Sequence, residues 1–472
     1  MKIIPNYRLA KNTRKFNIFS KTFTEQPWAG GGILLLCVII AMLLANLPFT
    51  REWYHQFLNT TLELNIQSPL SADGTRCVDL TLPHGMNVEK FINDILMVVF
   101  FFAVGLEIKR EIKYGELSSL KKAMLPVIAA AGGMAMPAII FTLFNHGTAG
   151  ASGWGIPTAT DIAFAVGILS FLGDRVPVSL KVFLTALAIA DDLGAILVVA
   201  LFYGGSINFV LLGIAVVILI GVYFLNQIGE KRSFFYIVPA IAVWFLFYYA
   251  GIHATMSGVV MAMMIPMRPR YSRAYLNRRS SELAGKIVQN DGAEGPDEVF
   301  PNTLQQENLR DISHVCDCSM GLSYRLEHAL TPWVNYAIMP VFALANAGVE
   351  IPDLSYFNIF QYSPELGSVG MGVFFGLLLG KPIGITLASW IAIRLKVGAM
   401  PQNATWKMLF AVACLGGIGF TMSIFVDTLS FADAPEYTEH LRAAGKIAVL
   451  MGSLCAGILG SLLINIISKK AH

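Results

Sequence analysis

Long apolar runs constrain this chain more than any other feature, because a helix that crosses the hydrocarbon core of a bilayer needs about 20 predominantly apolar residues. Twelve such runs are spread along the 472 residues. They cover residues 29–47, 90–108, 123–144, 153–172, 179–203, 208–226, 233–250, 253–266, 329–348, 367–393, 405–429 and 443–467. Hydrophobic residues make up 55% of the chain and charged residues only 14%, with a mean hydropathy of +0.61. The sequence therefore predicts an all-α polytopic membrane protein with twelve transmembrane helices over residues 29–468, after an N-terminal segment of residues 1–28.

The distribution of Lys and Arg indicates how the chain is oriented, because cytoplasmic loops carry an excess of these residues. If both termini are cytoplasmic, 28 of the 34 basic residues fall in cytoplasmic segments, five lie on or near the outside, and Lys381 is left within the membrane. This asymmetry supports the helix count. The net charge of +3 reflects this topology and indicates no nucleic-acid partner. The partner expected for the apolar helices is membrane lipid.

A hydrophilic loop on the outer side, residues 48–87, contains two runs of alternating polarity. These are TLELNI (residues 61–66) and CVDLTL (residues 77–82), which flank the turn-rich stretch SPLSADGT. Period-2 alternation around a turn predicts a β-hairpin over residues 61–82, and the alternative is an irregular loop with chance alternation. Because an isolated hairpin is only marginally stable, we expect it to pack on another surface.

A second hydrophilic segment, residues 267–327, lies on the inner side. Its basic run RPRYSRAYLNRR and acidic run DGAEGPDE are typical of a disordered or partner-binding segment. The segment also holds His314, Cys316 and Cys318, which resemble a fragment of a metal site but have no second ligand cluster. Of the six cysteines, only Cys77 should face the oxidising side, so no intrachain disulfide is expected.

Two consecutive aspartates, Asp191 and Asp192, lie in the middle of the fifth apolar run, VFLTALAIADDLGAILVVALF. A carboxylate near the centre of a bilayer costs about 2.5–3.5 kcal/mol on insertion scales, so two in a row are not incidental to packing. They are expected to face a water-filled cavity or a bound cation, for which protons would compete. The sequence therefore predicts an ion transporter with a carboxylate site.

Two apolar runs contain residues that interrupt helices. The fourth includes GWGIPTATDIAF, with Gly155, Pro157 and the acid Asp161, and the eleventh includes CLGGIGFTMSIF, with three glycines. Broken segments at corresponding positions of two halves are typical of an inverted-repeat transporter. Each break leaves helix N-termini that favour negative charge. The alternative is an ordinary kinked helix in each half.

Several motifs follow one another in an order that resembles a known family. They are FFAVGLEIKREI, TATDIAFAVG, LTALAIADDLGAI, GIHATMSGVV, FALANAGV and LLLGKPIGI. Over nearly all of residues 28–468 the chain is similar to the NhaA family of bacterial Na+/H+ antiporters. The resemblance implies twelve helices in the bacterial inner membrane, with the fourth and eleventh unwound and crossing at mid-membrane. It also implies electrogenic exchange of two protons for one Na+ (or Li+), pH regulation, no cofactor, no enzymatic activity, and a homodimer held partly by the hairpin 61–82.

The resemblance also implies roles for individual side chains. Asp192 becomes the principal cation ligand, with Asp191 beside it and Lys381 as the basic partner of Asp191. Asp161 compensates the helix ends at the crossing, and Thr160 supplies a further oxygen near the ion. The residues that align with the family's pH response are Glu107, Glu111, His253, Glu327 and Asp94.

Plainer alternatives stand beside some of these roles. Lys381 could extend toward the membrane surface, and His253 could be a hydrogen-bonded packing residue. Glu107 and Glu111 alternate with basic residues, as at a solvated helix end. The chain also departs from the family at Thr331, where a second histidine often follows LEH, which puts the pH profile in doubt.

Two other functional classes stay open. One is an ion-coupled symporter or a channel for another solute. Opposite effects of protons and sodium on transport would indicate an antiporter instead. The other is an intramembrane aspartyl protease. That chemistry needs aspartates on different helices that face each other across a peptide, which an adjacent pair does not provide.

Overall fold

The computed structural model describes residues 29–62, 65–67, 79–81, 86–205, 207–230, 232–269, 271–289, 303–351, 359–431 and 437–469. Within these ranges the protein is almost entirely helical. The helices are α1 (Ala29–Asn46), α2 (Arg51–Asn59), α3 (Val88–Tyr114), α4 (Leu120–Asn145), α5 (Ile162–Phe171), α6 (Val178–Phe202), α7 (Phe209–Ile228), α8 (Phe234–Tyr249), α9 (Thr255–Met264), α10 (Arg273–Gln289), α11 (Thr303–Ser319), α12 (Leu322–Trp333), α13 (Met339–Asn346), α14 (Val369–Arg394), α15 (Trp406–Leu415), α16 (Phe420–Leu429) and α17 (Thr438–Lys469). A 3₁₀ helix, Ala149–Thr158, precedes α5.

The helices make this a multi-pass membrane protein. In the described ranges, seven helices are long and apolar enough to cross a membrane, or up to nine if each of two bent pairs forms one span. The seven are α1, α3, α4, α6, α7, α14 and α17. The shorter apolar helices α8 and α9 lie in the predicted seventh and eighth runs, and α12 with α13 covers most of the ninth. The total of twelve spans stays a prediction.

Helices α4 and α14 pack closely because glycines face each other. A Cβ added to Gly132 of α4 would overlap the carbonyl oxygen of Gly384 on α14, and a Cβ on Gly384 would overlap the carbonyl oxygen of Gly132. Only glycine permits such a backbone approach. Lys381, one turn before Gly384, is thereby held in the interior. It directly follows the π-turn Gly376–Gly380, a type of turn that is frequent at functional sites.

Two short strands lie in the loop for which the sequence predicts a hairpin. They are β1 (Asn65–Gln67) and β2 (Asp79–Thr81), which pair antiparallel with Ile66 opposite Leu80. Residues 63–64, 68–78 and 82–85 lie outside the described residues. The connecting turn of the hairpin and its packing therefore stay predictions.

The segment 267–327 contains two helices, α10 and α11, which pack against each other. Leu283 of α10 and Val315 of α11 are buried. The expectation of disorder was wrong for both helices, because apolar residues recur at helical spacing among the charges and can be buried between them. Residues 290–302, which include the acidic run, lie outside the described residues.

Candidate ion-binding site

The two interruptions predicted in the fourth and eleventh runs are present and meet each other. The 3₁₀ helix Ala149–Thr158 joins α5 at an angle of 41°, and α15 joins α16 at 51°. The backbone N–H of Asp161 donates to the carbonyl oxygen of Ile418 at 2.7 Å. The hydroxyl of Thr160 donates to the carbonyl oxygen of Gly416 at 2.8 Å. Backbone groups freed by each break are thus satisfied by the other break, as a membrane interior requires.

Asp161 lies at the N-termini of both half-helices. It is the N-cap of α5, where its Oδ1 accepts a hydrogen bond from the Phe164 N–H at 3.2 Å. Its Oδ2 accepts from the backbone N–H of Thr421 at 3.2 Å and also from the Thr421 hydroxyl, in the first turn of α16. A carboxylate is favoured at a helix N-terminus, and here one carboxylate serves two.

The N-terminus of α16 has a second partner, which comes from α17. The hydroxyl of Ser453 accepts hydrogen bonds from the backbone N–H groups of Gly419 at 3.2 Å and Phe420 at 3.1 Å. The free backbone N–H groups at the start of α16 are therefore bound by Asp161 on one side and by Ser453 on the other.

Asp191 and Asp192 lie at mid-length of α6, and both are buried. The ammonium group of Lys381 donates to Asp191 Oδ2, and both side chains are only 1% exposed. Lys381 Nζ also donates to the Thr160 hydroxyl at 2.9 Å. The ion pair therefore joins α6 and α14 to the chain crossing. Lys381 does not extend toward the membrane surface, because both of its partners are deep in the protein.

Asp192 has different surroundings from its neighbour. It lines a cavity of about 340 Å³, together with Asp161, Thr421, Glu107 and Glu327. Oδ1 of Asp192 accepts no hydrogen bond from the part of the chain that the structure describes. Buried polar groups are normally paired, so this oxygen is suited to a ligand that arrives through the cavity.

Three of the five residues aligned with pH response gather around Arg110 on α3. Its guanidinium forms ion pairs with the carboxylates of Glu327 at 2.6 Å, Glu111 at 3.3 Å and Glu107 at 3.9 Å. We call these four residues the Arg110 cluster. Since Glu107 and Glu327 also line the cavity, the cluster lies along the route to Asp192.

The other two residues of that set lie apart from the cluster. Asp94 is in the π-turn Ile92–Leu96 of α3, where its carbonyl oxygen accepts from the Trp244 indole at 3.1 Å. His253 lies just before α9, and its Nε2 contacts the carbonyl oxygen of Tyr203. For His253, the hydrogen-bonded packing residue remains a sufficient account.

The fragment of a metal site in α11 gains no further ligand from the part of the chain that the structure describes. His314 Nε2 lies 3.7 Å from Cys318 Sγ. Among the described residues, no three His, Cys, Asp or Glu side chains converge as a metal site would require. A cation at Asp192 would therefore need hydroxyl, backbone or water oxygens in addition to the aspartates.

Sequence reasoning missed three polar residues at or near the crossing. Thr421 and Ser453 carry no signal of their own, because an isolated hydroxyl in an apolar run is common. Asp427 is different, since an acid in the eleventh run was visible in FVDTLSF. It is completely buried in α16.

Known proteins are similar to this chain over nearly its full length. Residues 21–464 match the family described as Na+/H+ antiporter 1. A protein named Na(+)/H(+) antiporter NhaA from Oleidesulfovibrio alaskensis is 41% identical over 93% of this chain and 92% of its own length. Proteins of the same name are 40% identical in Bacteroides thetaiotaomicron, over 95% of this chain and 97% of the relative, and 38% identical in Shigella dysenteriae serotype 1, over 93% and 95%.

Among solved structures, the sodium proton antiporter MjNhaP1 from Methanocaldococcus jannaschii aligns with 93% of this chain and 98% of that chain, at 14% identity and a TM-score of 0.41. The match to the family described as Na+/H+ antiporter 1 includes every side chain of the candidate site.

Proposed function

We propose that this chain, which belongs to the Na+/H+ antiporter 1 family, exchanges Na+ (or Li+) for protons electrogenically at Asp192. Members of the family are secondary transporters rather than enzymes, and this chain is one of them. The observation that carries the proposal is the contrast between the two aspartates. Asp191 forms an ion pair with Lys381, whereas Asp192 lines the cavity and has no such partner among the described residues. Oδ1 of each aspartate accepts no hydrogen bond from the described residues, but only Asp192 presents its carboxylate to the cavity.

Competition between the two ions follows from carboxylate chemistry. Na+ is a hard cation that takes oxygen ligands, as Mg²⁺ and Ca²⁺ do, and it needs an ionised carboxylate. A proton on Asp192 removes the charge that holds Na+. If the empty protein, with neither Na+ nor a proton bound, cannot switch its access from one side of the membrane to the other, each cycle must carry Na+ one way and protons the other.

The Asp191–Lys381 pair accounts for a second proton. A cation bound at Asp192 lies beside Asp191 and competes with the Lys381 ammonium for the same carboxylate. Once Asp191 turns to the cation, an unpaired ammonium at this depth would be costly, so Lys381 releases its proton. One proton from Asp192 and one from Lys381 then exchange for one Na+.

The proposed stoichiometry moves one net charge per cycle. That charge is worth about 2.3 kcal/mol per 100 mV of membrane potential. At about 1.4 kcal/mol per tenfold concentration ratio, 100 mV could sustain a sodium gradient of roughly fifty-fold.

Asp161 and Thr160 support the site without serving as its main ligand. Asp161 neutralises the partial positive charge of two helix N-termini, which would otherwise repel a cation at Asp192. Thr160 receives a hydrogen bond from Lys381 and is the hydroxyl that can take over as an ion ligand when Lys381 moves.

The Arg110 cluster is the best candidate for pH regulation. Three carboxylates share one guanidinium, so the charge of the cluster changes as protons bind, and two of its members line the cavity. Asp94 and His253 lie apart from this cluster and are not part of the proposal. Thr331 also lines the cavity, where the family often has a histidine.

The proposed setting is the bacterial inner membrane, with both termini cytoplasmic and a homodimer joined partly by the hairpin 61–82. Unpaired edges of the two-stranded ribbon β1–β2 could pair across a twofold axis. Membrane lipid covers the many exposed apolar side chains of helices such as α7.

Electrogenicity is tested in proteoliposomes with the potential set by a potassium gradient and valinomycin. We expect Na+ efflux driven by an inside-negative potential at equal pH on both sides, and its reversal when the potential is reversed. Flux that ignores the potential would contradict two-for-one exchange. If Na+ and protons instead crossed the membrane together in the same direction, the protein would be a symporter.

A further inference from the structure

A second buried carboxylate lies on the helix that completes the chain crossing. Asp427 of α16 is 0% exposed, and neither of its carboxylate oxygens accepts a hydrogen bond from the described residues. Thr421, which binds Asp161, is six residues earlier, or about 9 Å along the helix axis. An acid at this depth without hydrogen bonds is destabilising, so its presence needs a compensating role.

Basic groups approach Asp427 from α17. Its carboxylate lies against the backbone of Gly445, and the positive charges of Lys446 and Arg442 on the same helix act on it without a direct ion pair among the described contacts. Arg442 is engaged at the C-terminal end of α16, where it donates to the carbonyl oxygens of Thr428 at 2.5 Å and Ser430 at 3.4 Å. Lys446 is therefore the cation available to neutralise Asp427.

The other ionisable groups around this pair locate it at one end of the helix bundle. Tyr203, just after α6, interacts electrostatically with Asp427, and Glu89, in the first turn of α3, interacts with Lys446. The cavity lies toward the opposite end of α3, where Glu107 lines it. Glu89 and Glu107 are about 27 Å apart along the helix axis. Asp427 thus lies beyond Asp192 when the site is approached through the cavity.

An exchanger must open its site to each side of the membrane in turn. The cavity opens Asp192 to one side, and Asp427 does not line it. We propose that Asp427 is a second carboxylate of the transport path, which takes up Na+ from Asp192, and passes protons to it, when the site opens to the face opposite the cavity. Lys446 on the adjacent helix α17 is the basic residue that we expect to balance the charge of Asp427 when no ion is bound there. The inference rests on the proposed exchange at Asp192.

Thiol labelling tests whether Asp427 becomes accessible from that face. The six native cysteines are replaced by serine, and single cysteines are then introduced as E107C, D427C and V426C. Val426 is the matched control, because it is the equally buried neighbour on the same helix. A membrane-impermeant maleimide is applied to right-side-out and inside-out vesicles under a sodium gradient.

We expect E107C to be labelled from one face, D427C from the other face, and V426C from neither. Because E107C marks the cavity face, the result does not depend on the assumed orientation of the chain. Labelling of D427C from the same face as E107C, or from neither face, would overturn the proposal.

The variant D427N supplies an independent kinetic readout in proteoliposomes. The apparent KM for Na+ presented at the face opposite the cavity should rise at least tenfold, while the KM at the cavity face should stay unchanged. The double variant D427N/K446Q should recover part of the loss, because removal of Asp427 alone leaves a buried ammonium unpaired.

The outcomes separate a transport role from a structural one. If Asp427 only fastens α16 to α17, D427N will change both KM values equally or neither, and either result contradicts the proposal. Absence of Na+/H+ exchange in the unmodified protein would instead refute the function proposed for Asp192.

Discussion

Lys381 pairs with Asp191 and leaves Asp192, the next residue of α6, to face the cavity. Consecutive residues of an α-helix point about 100° apart. A single turn can therefore present the carboxylate of Asp191 to an amine and the carboxylate of Asp192 to a cavity. In the proposed mechanism this angle separates two tasks. Asp192 exchanges ions, and Asp191 holds the ammonium group of Lys381 until Na+ arrives and Lys381 releases its proton.

Replacement of Asp192 by Asn should reduce sodium-driven proton flux in everted vesicles to about the level of empty vesicles. The amide keeps the shape of the side chain but cannot carry the charge that both ions require. Asp191→Asn should also be severe but could retain exchange with altered charge stoichiometry. Ser389→Ala, which alters a buried hydroxyl of α14, is the matched control and should stay near wild type. Wild-type flux in the Asp192 variant would contradict the assignment of the site.

Lys381 and Asp191 should behave as a coupled pair. Lys381→Ala should weaken apparent Na+ affinity or shift the pH profile, because Asp191 is left as an unpaired buried charge. The same change should matter less when Asp191 is already Asn, with a coupling energy of about 0.5–3 kcal/mol in a double-mutant cycle. The cycle is measured from apparent KM values across pH. Strict additivity would show that the two side chains do not interact in the working protein.

Asp161→Asn should destabilise the chain crossing more than Thr421→Val does. The Asn variant loses the negative charge between two helix N-termini, each worth up to about 2 kcal/mol in buried geometry. The Val variant removes one hydroxyl donor and keeps the backbone N–H of Thr421. Thermal unfolding in mild detergent, followed by fluorescence, should rank the melting temperatures as wild type, then Thr421→Val, then Asp161→Asn. An Asp161 variant as stable as wild type would show that its charge does not support the crossing.

Deletion of residues 61–82 should weaken the proposed dimer and spare the ion site. The deleted segment contains β1 and β2 and none of the side chains of the candidate site. Size-exclusion chromatography with light scattering in mild detergent should show monomer at concentrations at which the full chain is dimeric. Exchange in proteoliposomes should persist. A deletion variant that stays dimeric at the same concentration would rule out the hairpin as the main contact.

Local sequence patterns predicted much of the candidate site. Apolar runs, two adjacent acids and a glycine-rich or proline-containing break each have a physical signature within about 20 residues. The bent pairs at Asp161 and at Gly416 follow from those signatures. The resemblance to a family then identified Lys381 as the partner of Asp191, and the structure places the two in contact.

Long-range partners could not be predicted in the same way. Thr421 binds Asp161 across 260 residues of sequence, and nothing near either residue specifies the other. Ser453 likewise looks like any hydroxyl of a membrane helix until the fold brings it to the N-terminus of α16. The charges of the segment 267–327 led to a prediction of disorder, although a weaker helical periodicity was also present. The structure shows two helices there, because Leu283 and Val315 are buried.

The most direct test of the central claim is the apparent KM for Na+ as a function of pH. If one carboxylate site serves both ions, each unit of pH below the apparent pKa of the site should raise the KM up to tenfold, and more if two protons must leave together. Maximal velocity at saturating Na+ should change much less, and the KM should level off at alkaline pH because no proton remains to displace. A KM that stays flat from mildly acidic to alkaline pH, while velocity rises, would contradict competition at Asp192 and place pH control outside the transport site.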